Sequence, residues 1–166
     1  MYRLKKAELS ELELCYGFIE DGKMYQREQG FTQWTDTYPN MDTVKGDIEK
    51  GEGYIFLDGD EPFGYICISL KKEPAYDKLK GSWHADEPYA VLNRLALSSK
   101  SRGRGLSQEV FRLVKDHCRK QGISYIRTNT APENKLMQHL FEKAGMSFCG
   151  TVDFRGGEKL CYDLQL

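Results

Sequence analysis

The sequence predicts a mixed α/β (α+β) fold built as a single domain over residues 1–166. Two observations support this prediction. Runs of β-prone apolar residues alternate along the chain with amphipathic helical patterns, which is typical of a sheet covered by helices. The length, with 40% hydrophobic and 30% charged residues, is enough to bury one hydrophobic core. The arrangement centres on an apolar strand over residues 89–97, which a glycine-bearing turn joins to an amphipathic helix over residues 106–121.

The first part of the chain predicts a strand and two helices. Residues 2–5 are expected to form a short strand. A helix follows from Ser10, because Ser10 and Glu13 have the spacing of a capping box, and Gly22 is expected to interrupt it. A second, shorter helix is predicted over residues 42–50.

Two β-prone runs, over residues 54–57 and 63–70, flank a turn that contains Gly59. This combination predicts an antiparallel hairpin, since glycine adopts the backbone angles that tight turns need. The next stretch, residues 71–88, is polar and is expected to be a solvated loop. The alternative is that it lies near the functional site, because it leads directly into the central strand.

The last part of the chain predicts a strand, a helix and a hairpin. The strand covers residues 123–128. Thr130 and Glu133 again have capping-box spacing and indicate the start of a helix. The alternation of apolar and polar residues over 146–154 and 159–166 predicts a terminal hairpin.

A polar loop is predicted over residues 28–40, and it carries the aromatic residues Trp34 and Tyr38. Two interpretations remain open for these side chains. They cover the margin of the hydrophobic core, or they form a wall of an acceptor pocket, since binding residues concentrate on loops held by a rigid scaffold.

Composition excludes several classes of protein. A net charge of −1 gives no general attraction to nucleic acid or to anionic membranes. The five cysteines are odd in number and widely spaced, so we expect reduced thiols. No Cys-x-x-Cys pair occurs, and no metal site is predicted. No apolar run has the roughly 18 residues that a membrane span requires, and no signal sequence is found, so we expect a cytoplasmic protein.

The turn over residues 102–107 has the chemistry of an anion site. Two glycines leave its backbone uncovered, and it leads into a helix whose first amides lack partners. Gln108 stands where a dinucleotide-binding loop has its third glycine, and no Gly-Lys-Ser/Thr phosphate loop occurs. The pattern Arg-x-x-Gly-x-Ser instead resembles the pyrophosphate loop of the GNAT superfamily of N-acetyltransferases, with Ser107 in place of the usual glycine or alanine.

A second segment, residues 134–146, resembles the part of GNAT proteins that follows this loop, commonly Asn-x-x-Ala-x-x-Leu-Tyr-x-Lys-x-Gly-Phe. The matching positions are Asn134, Leu140, Lys143 and Gly145, and the departures are Met137, Phe141 and Met146. The resemblance implies a GNAT-like domain with a central mixed, mostly antiparallel sheet flanked by helices, and acetyl-CoA as co-substrate.

The resemblance also assigns the contacts to acetyl-CoA. The pyrophosphate contacts would come from Arg102, Gly103, Arg104, Gly105, Leu106 and Ser107. The pantetheine arm would lie along the main chain of Leu95, Ala96 and Leu97, with a polar contact from Asn134.

In the family the acetyl group usually passes directly to an amine in a ternary complex. Some group must then remove a proton from the amine. Asn93 stands where relatives often carry a carboxylate, which leaves Glu28, His84, Asp86 and Glu87 as candidate bases, of which His84 and Glu28 are preferred. Phe141 stands where relatives often carry a tyrosine, and phenylalanine has no proton to give to the departing thiolate.

The resemblance therefore implies transfer of an acetyl group to a primary amine of a small molecule or a peptide. A non-catalytic acyl-CoA-binding module is the alternative, because the base and the tyrosine are both missing. Nucleic-acid binding through the small basic patch at residues 100–104 is not expected, because no broad basic surface supports it. Pairing of the terminal strands between two subunits would give a homodimer.

Overall fold

The computed structural model describes all of residues 1–166. It has eight strands and four α-helices. In chain order these are β1 Tyr2–Lys6, α1 Leu12–Glu28, α2 Met41–Glu49, β2 Gly53–Asp58, β3 Glu61–Ser69, β4 Lys80–Gly81, β5 Ala90–Leu97, α3 Ser107–Lys120, β6 Tyr125–Thr130, α4 Lys135–Lys143, β7 Ser147–Phe154 and β8 Gly157–Gln165. The predicted mixed α/β fold is confirmed.

The strands form a sheet in the order β1-β2-β3-β5-β6-β8-β7-β4. Strands β5 and β6 pair in parallel over Ala90–Leu92 and Ile126–Thr128, whereas β1–β2, β2–β3, β6–β8, β7–β8 and β4–β7 pair antiparallel. The last strand, β8, is paired on one side with β6 and on the other with β7. Strand β8 therefore has no free side on which a second subunit could pair. The homodimer itself stays a prediction.

The chain divides into two compact units. Unit 1 comprises Met1–Ile68 and Arg94–Val114, and unit 2 comprises Ser69–Asn93 and Lys115–Leu166. Strand β5 contributes its first half to unit 2 and its second half to unit 1.

Unit 1 packs α1 and α2 over a core that contains Cys15, Phe18, Ile19, Trp34, Val44, Ile48, Ile55 and Tyr65. The predicted capping box of α1 is wrong. A 3-10 helix, Leu9–Glu11, precedes α1, and its capping box is formed by Glu8 and Glu11 instead of Ser10 and Glu13. The predicted break at Gly22 is also wrong, because the helix continues and the ring of Trp34 packs where a Gly22 side chain would stand.

Unit 2 has a second core, formed by Tyr76, Tyr89, Val91, Tyr125, Val152 and Cys161. The expected solvated loop over residues 71–88 is wrong in part, since it holds a 3-10 helix, Pro74–Lys78, and strand β4. Tyr76 of that 3-10 helix is only 1% exposed. The predicted cap of α4 is wrong as well, because Asn134, and not Thr130, caps the helix.

All five cysteines are buried free thiols, and burial raises the pKa of Cys15, Cys67 and Cys161 to about 12. None of the helices has both the length and the apolar composition that crossing a membrane requires.

Candidate active site

Helix α1 fixes the turn between β5 and α3. The turn begins with a 3-10 helix, Ser99–Ser101, and the Ser99 amide donates to Asp21 Oδ2 at 3.1 Å. The Arg102 guanidinium donates to the Asp21 carbonyl at 2.7 Å and lies 4.3 Å from the centre of the Tyr25 ring. The first part of the turn, from Ser99 to Arg102, is therefore held by side chains and main chain of one helix.

The two glycines of the turn are required by their backbone angles. Gly103 has φ +78° and Gly105 has φ +69°, in the left-handed region that side chains with a Cβ disfavour. A Cβ placed on either residue would meet no heavy atom of the protein within 4 Å. The backbone of the turn is consequently uncovered, with room for a ligand against it.

The helix that follows offers free amide donors. The first intrahelical hydrogen bond of α3 is donated by the Val110 amide to the Leu106 carbonyl at 2.9 Å. The amides of Ser107, Gln108 and Glu109 precede that bond and have no acceptor within the helix. These donors and the positive end of the helix dipole favour an anion at this position.

The side chains of the turn have partners within the protein. The two contacts of Arg102 anchor the turn, and Arg104 lies 3.5 Å from Asp58 in a pair whose members are both partly exposed. Such exposed pairs are weak, so the arginine can exchange Asp58 for another anion. The side chain of Leu106 is buried, and only its main chain faces the turn. Phosphate contacts from Arg102, Arg104, Leu106 and Ser107 stay predictions.

The second half of β5 presents main-chain groups on the side away from β3. The Ser98 amide donates to the Phe63 carbonyl of β3 at 2.8 Å. Because main-chain groups alternate along a strand, those of Ala96 also face β3, and those of Leu95 and Leu97 face the opposite side. Of the three predicted contacts to pantetheine, Leu95 and Leu97 have the better orientation.

A buried ion pair lies beside this half-strand and was missed by the sequence analysis. Arg94 has φ +55° and donates to both carboxylate oxygens of Asp47, at 2.6 and 2.8 Å. Asp47 also accepts from the Tyr65 hydroxyl at 2.8 Å, and Arg94 donates to the Tyr38 hydroxyl at 2.9 Å. Burial, followed by the charge of Asp47, raises the pKa of Tyr65, so this hydroxyl stays protonated.

The predicted acceptor-binding residues of unit 1 have different surroundings. Trp34 belongs to the core, and its amide donates to Gln26 Oε1 at 2.7 Å, which supports the interpretation that it covers the core. Tyr38 is half-buried and accepts from Arg94. Glu28 is the exposed last residue of α1. The binding roles of Trp34 and Tyr38 and the base role of Glu28 stay predictions.

In unit 2, His84 contacts a buried carboxylate. His84 Nδ1 lies 2.7 Å from Asp163 Oδ1, and the His84 amide donates to Asp163 Oδ2 at 2.8 Å. Burial would raise the pKa of Asp163, but hydrogen bonds from the Tyr125 hydroxyl and from His84 outweigh it and lower the pKa. Asp163 is therefore ionised and only accepts, so His84 Nδ1 donates in this contact.

A stacked arginine holds the segment that carries His84. Arg127 lies 4.2 Å from the centre of the Trp83 ring and 4.3 Å from that of Tyr89, and it donates to the Ala85 carbonyl at 3.0 Å. Sequence reasoning missed both Arg127 and Asp163. The available signal was a charged residue inside a β-prone run, since Arg127 stands between Ile126 and Thr128, and Asp163 between Tyr162 and Leu164.

Two residues from the second motif have structural roles in unit 2. Asn134 caps α4 and accepts at Oδ1 from the Met137 amide at 3.1 Å, so its predicted contact to the pantetheine arm stays a prediction. Phe141 is buried, with its ring centre 5.3 Å from that of Tyr162.

Comparison with known proteins decides the family. The model of the acetyltransferase (GNAT) family matches residues 11–146, well over half of the chain. The chain belongs to the GNAT family. Among curated proteins, no sequence matches this GNAT chain significantly.

Solved structures agree with this assignment. A GNAT-family acetyltransferase from Streptococcus agalactiae 2603 is 27% identical, with a TM-score of 0.89 over 99% of this chain and 95% of that one. A GNAT-family acetyltransferase from Listeria monocytogenes is 19% identical, with a TM-score of 0.77 over 99% and 95%. The aminoglycoside acetyltransferase AAC(6')-Ib, solved with coenzyme A and kanamycin, is 19% identical, with a TM-score of 0.73 over the same shares. The last two share the GNAT fold with this protein.

Proposed function

We propose that this protein transfers the acetyl group of acetyl-CoA directly to a primary amine of a small molecule or a peptide. The observation that carries the proposal is the turn at Gly103 and Gly105, whose uncovered backbone leads into the free amides of α3. Membership of the GNAT family and the coenzyme A bound by AAC(6')-Ib support it.

In this proposal the amides from Gly105 to Glu109 hold the pyrophosphate. Binding through these amides needs no side chain, so the contacts that Arg102 makes with α1 would not prevent pyrophosphate binding. Acetyl-CoA supplies the activated acetyl group as a thioester. The outward-facing main chain of Leu95 and Leu97 would hydrogen-bond the pantetheine arm, in the way that an added strand binds an exposed strand.

The acceptor amine must lose a proton during transfer. Of the two candidate bases, His84 has the stronger support, because Nδ1 donates to the buried Asp163 carboxylate and this contact orients the ring. We assign it as the base, with Glu28 as the alternative. Phe141 offers no proton to the departing thiolate, so in this proposal water supplies it.

The test is acetylation of a panel of amines with acetyl-CoA, followed by mass spectrometry and release of free thiol. The panel includes kanamycin, amino acids and peptide N-termini. We expect at least one acetylated amine, and we expect His84→Gln to lower kcat while the affinity for acetyl-CoA stays the same. Binding of acetyl-CoA without acetylation of any amine would favour the non-catalytic binding module instead.

A further inference from the structure

Three potential metal ligands meet in unit 2, on strands β7 and β8 and on the segment before β5. We propose that His84 Nδ1, Cys149 Sγ and Asp163 Oδ1 bind one Zn²⁺ ion, with water as the fourth ligand. The inference does not rest on acetyl transfer, but the two roles of His84 exclude each other: with an ion on Nδ1 the ring proton is on Nε2, so Glu28 would be the base of the zinc-bound protein. The inference contradicts the expectation, from the missing Cys-x-x-Cys pair, that the protein has no metal site. The three residues are already in place in the fold.

The distances between the ligand atoms suit a tetrahedral zinc ion. The three atoms lie within 4.8 Å of one another, with Nδ1 at 3.4 Å from Cys149 Sγ and 2.7 Å from Asp163 Oδ1. Ordinary zinc bond lengths place tetrahedral N and S ligands about 3.6 Å apart and N and O ligands about 3.4 Å apart. Of these two separations, only the one between His84 and Asp163 has to widen, and the exposed histidine ring can turn to widen it.

The donor set also suits zinc. A thiolate, an imidazole and a carboxylate are the three ligand types that zinc binds in proteins, and magnesium or calcium would avoid the sulfur. One aspartate and one thiolate would balance the charge of the ion. Binding would release one proton, from the Cys149 thiol, while the proton on His84 Nδ1 would move through solvent to Nε2.

A β-bulge directs Cys149 to this position. Phe148 pairs with Tyr162 and Gly150 pairs with Cys161, so Cys149 is the extra residue between them. Bulges re-aim side chains and occur next to functional sites. Here the bulge brings the thiol next to His84 and to the face of the sheet that carries Asp163.

The segment that carries His84 is anchored residue by residue. The Ser82 amide donates to the Cys149 carbonyl at 3.0 Å, and the His84 amide donates to Asp163 Oδ2 at 2.8 Å. Between them, Trp83 Nε1 donates to the Tyr76 carbonyl at 3.0 Å. The ligands are therefore pre-organised, which lowers the entropic cost of binding an ion.

Asp163 has the outer contacts that a metal-binding carboxylate needs. Its Oδ2 accepts from the Tyr125 hydroxyl at 2.5 Å and from the His84 amide, while Oδ1 faces the imidazole. Such contacts to ligating carboxylates orient them toward the metal. A hydrogen-bonded cluster that serves stability alone would explain the aspartate and the histidine, but it gives no reason for a thiol beside the same ring nitrogen.

The site has an entry path. The side chain of His84 is 53% exposed, whereas that of Asp163 is 2% exposed. An ion can approach past the imidazole, and water can occupy the fourth position. Because both Cys149 and Asp163 contact Nδ1, the three residues do not form a nucleophilic triad, in which base and carboxylate partner use different ring nitrogens.

The test is titration of chelator-treated protein with Co²⁺, a spectroscopic substitute for Zn²⁺. We expect a thiolate-to-cobalt charge-transfer band and tetrahedral visible bands at one equivalent, both abolished by one equivalent of Zn²⁺. We expect Cys149→Ala to remove the charge-transfer band and His84→Ala to weaken binding at least tenfold. Cys161→Ala is the matched control, since it removes a buried thiol from the same part of the sheet and should keep the band.

Circular dichroism without metal would confirm that each variant is folded, and the exposed His84 is the substitution least able to disturb folding. Absence of the band in the wild-type protein would overturn the proposal. Retention of the band in Cys149→Ala, or equal affinity in His84→Ala, would also overturn it. None of these results depends on acetyl-CoA binding, so failure here leaves the proposed acetyl transfer unaffected.

Discussion

Replacing Gly105 by alanine tests whether the turn before α3 holds the pyrophosphate. The substitution adds one methyl group at a residue with φ +69°, where a Cβ meets no protein atom within 4 Å. Its cost to the fold is therefore backbone strain alone, about 1–2 kcal/mol. The methyl group would stand in the open space against which the phosphate is expected to lie.

The effect on binding follows from the hydrogen bonds displaced. An amide hydrogen bond to a charged group contributes about 1.5–3 kcal/mol. Losing one such bond weakens binding about 10- to 150-fold, since about 1.4 kcal/mol corresponds to a factor of ten. Gly105→Glu should weaken binding further, because it adds a negative charge beside the phosphates.

Gly122→Ala is the matched control. Gly122 has φ +76°, also has no atom within 4 Å of an added Cβ, and lies at the opposite end of α3. Calorimetric titration with coenzyme A and acetyl-CoA at fixed ionic strength, together with thermal unfolding, measures both effects. We expect equal losses of stability and a loss of affinity only in Gly105→Ala. Equal affinities in the two variants, or no binding by the wild-type protein, would refute the reasoning.

Three further predictions concern stability, measured by urea unfolding. Gly17→Ala should stabilise the protein by about 0.4–1 kcal/mol, because an added Cβ at this position of α1 meets no atom within 4 Å. Gly22→Ala should destabilise it by about 1–3 kcal/mol, because the added Cβ would lie 2.7 Å from a carbon of the Trp34 indole. A Gly22→Ala variant more stable than Gly17→Ala would contradict the packing. Asp47→Ala should lower the free energy of unfolding by about 3–5 kcal/mol, because it leaves the buried Arg94 guanidinium without its carboxylate. Asp60→Ala is the control: it removes the carboxylate of an exposed pair with Arg3 and should change the free energy of unfolding by less than about 1 kcal/mol. Burial would raise the pKa of Glu11, but hydrogen bonds from Lys5 and from the Glu8 amide lower the pKa overall. The wild-type protein should therefore be more stable than Glu11→Gln above the ordinary glutamate pKa, and this difference should disappear as the pH falls through the lowered pKa. A stability difference that does not change with pH would exclude this linkage.

The elements of the fold were predictable because their signals are local. The hairpin around Gly59, the central strand and helix α3 each follow from periodicity and from one turn residue. The capping residues of α1 and α4 were not, because several residues near a helix start can cap it. Glu8 and Asn134 take this role in the structure, although Ser10 and Thr130 have equally good sequence patterns.

The candidate site divides in the same way. The glycines of the turn were predictable, since their spacing and their place between strand and helix lie within one short segment. The contacts of Arg94 with Asp47 and of His84 with Asp163 join residues 47 and 79 positions apart. Such pairs depend on how segments far apart in the chain pack together, which a single sequence does not reveal.

The contact between Gly81 and Gly150 has a consequence for how this protein behaves in concentrated solution. A Cβ on Gly81 would lie 2.1 Å from the Cys149 carbonyl oxygen, and one on Gly150 would lie 2.2 Å from that of Lys80. Only glycine lets β4, a strand of two residues, cover the outer hydrogen-bonding groups of β7. Unprotected strands recruit other chains into aggregates. A bulkier residue at either position would thus expose the protein to intermolecular β-pairing as well as destabilise it.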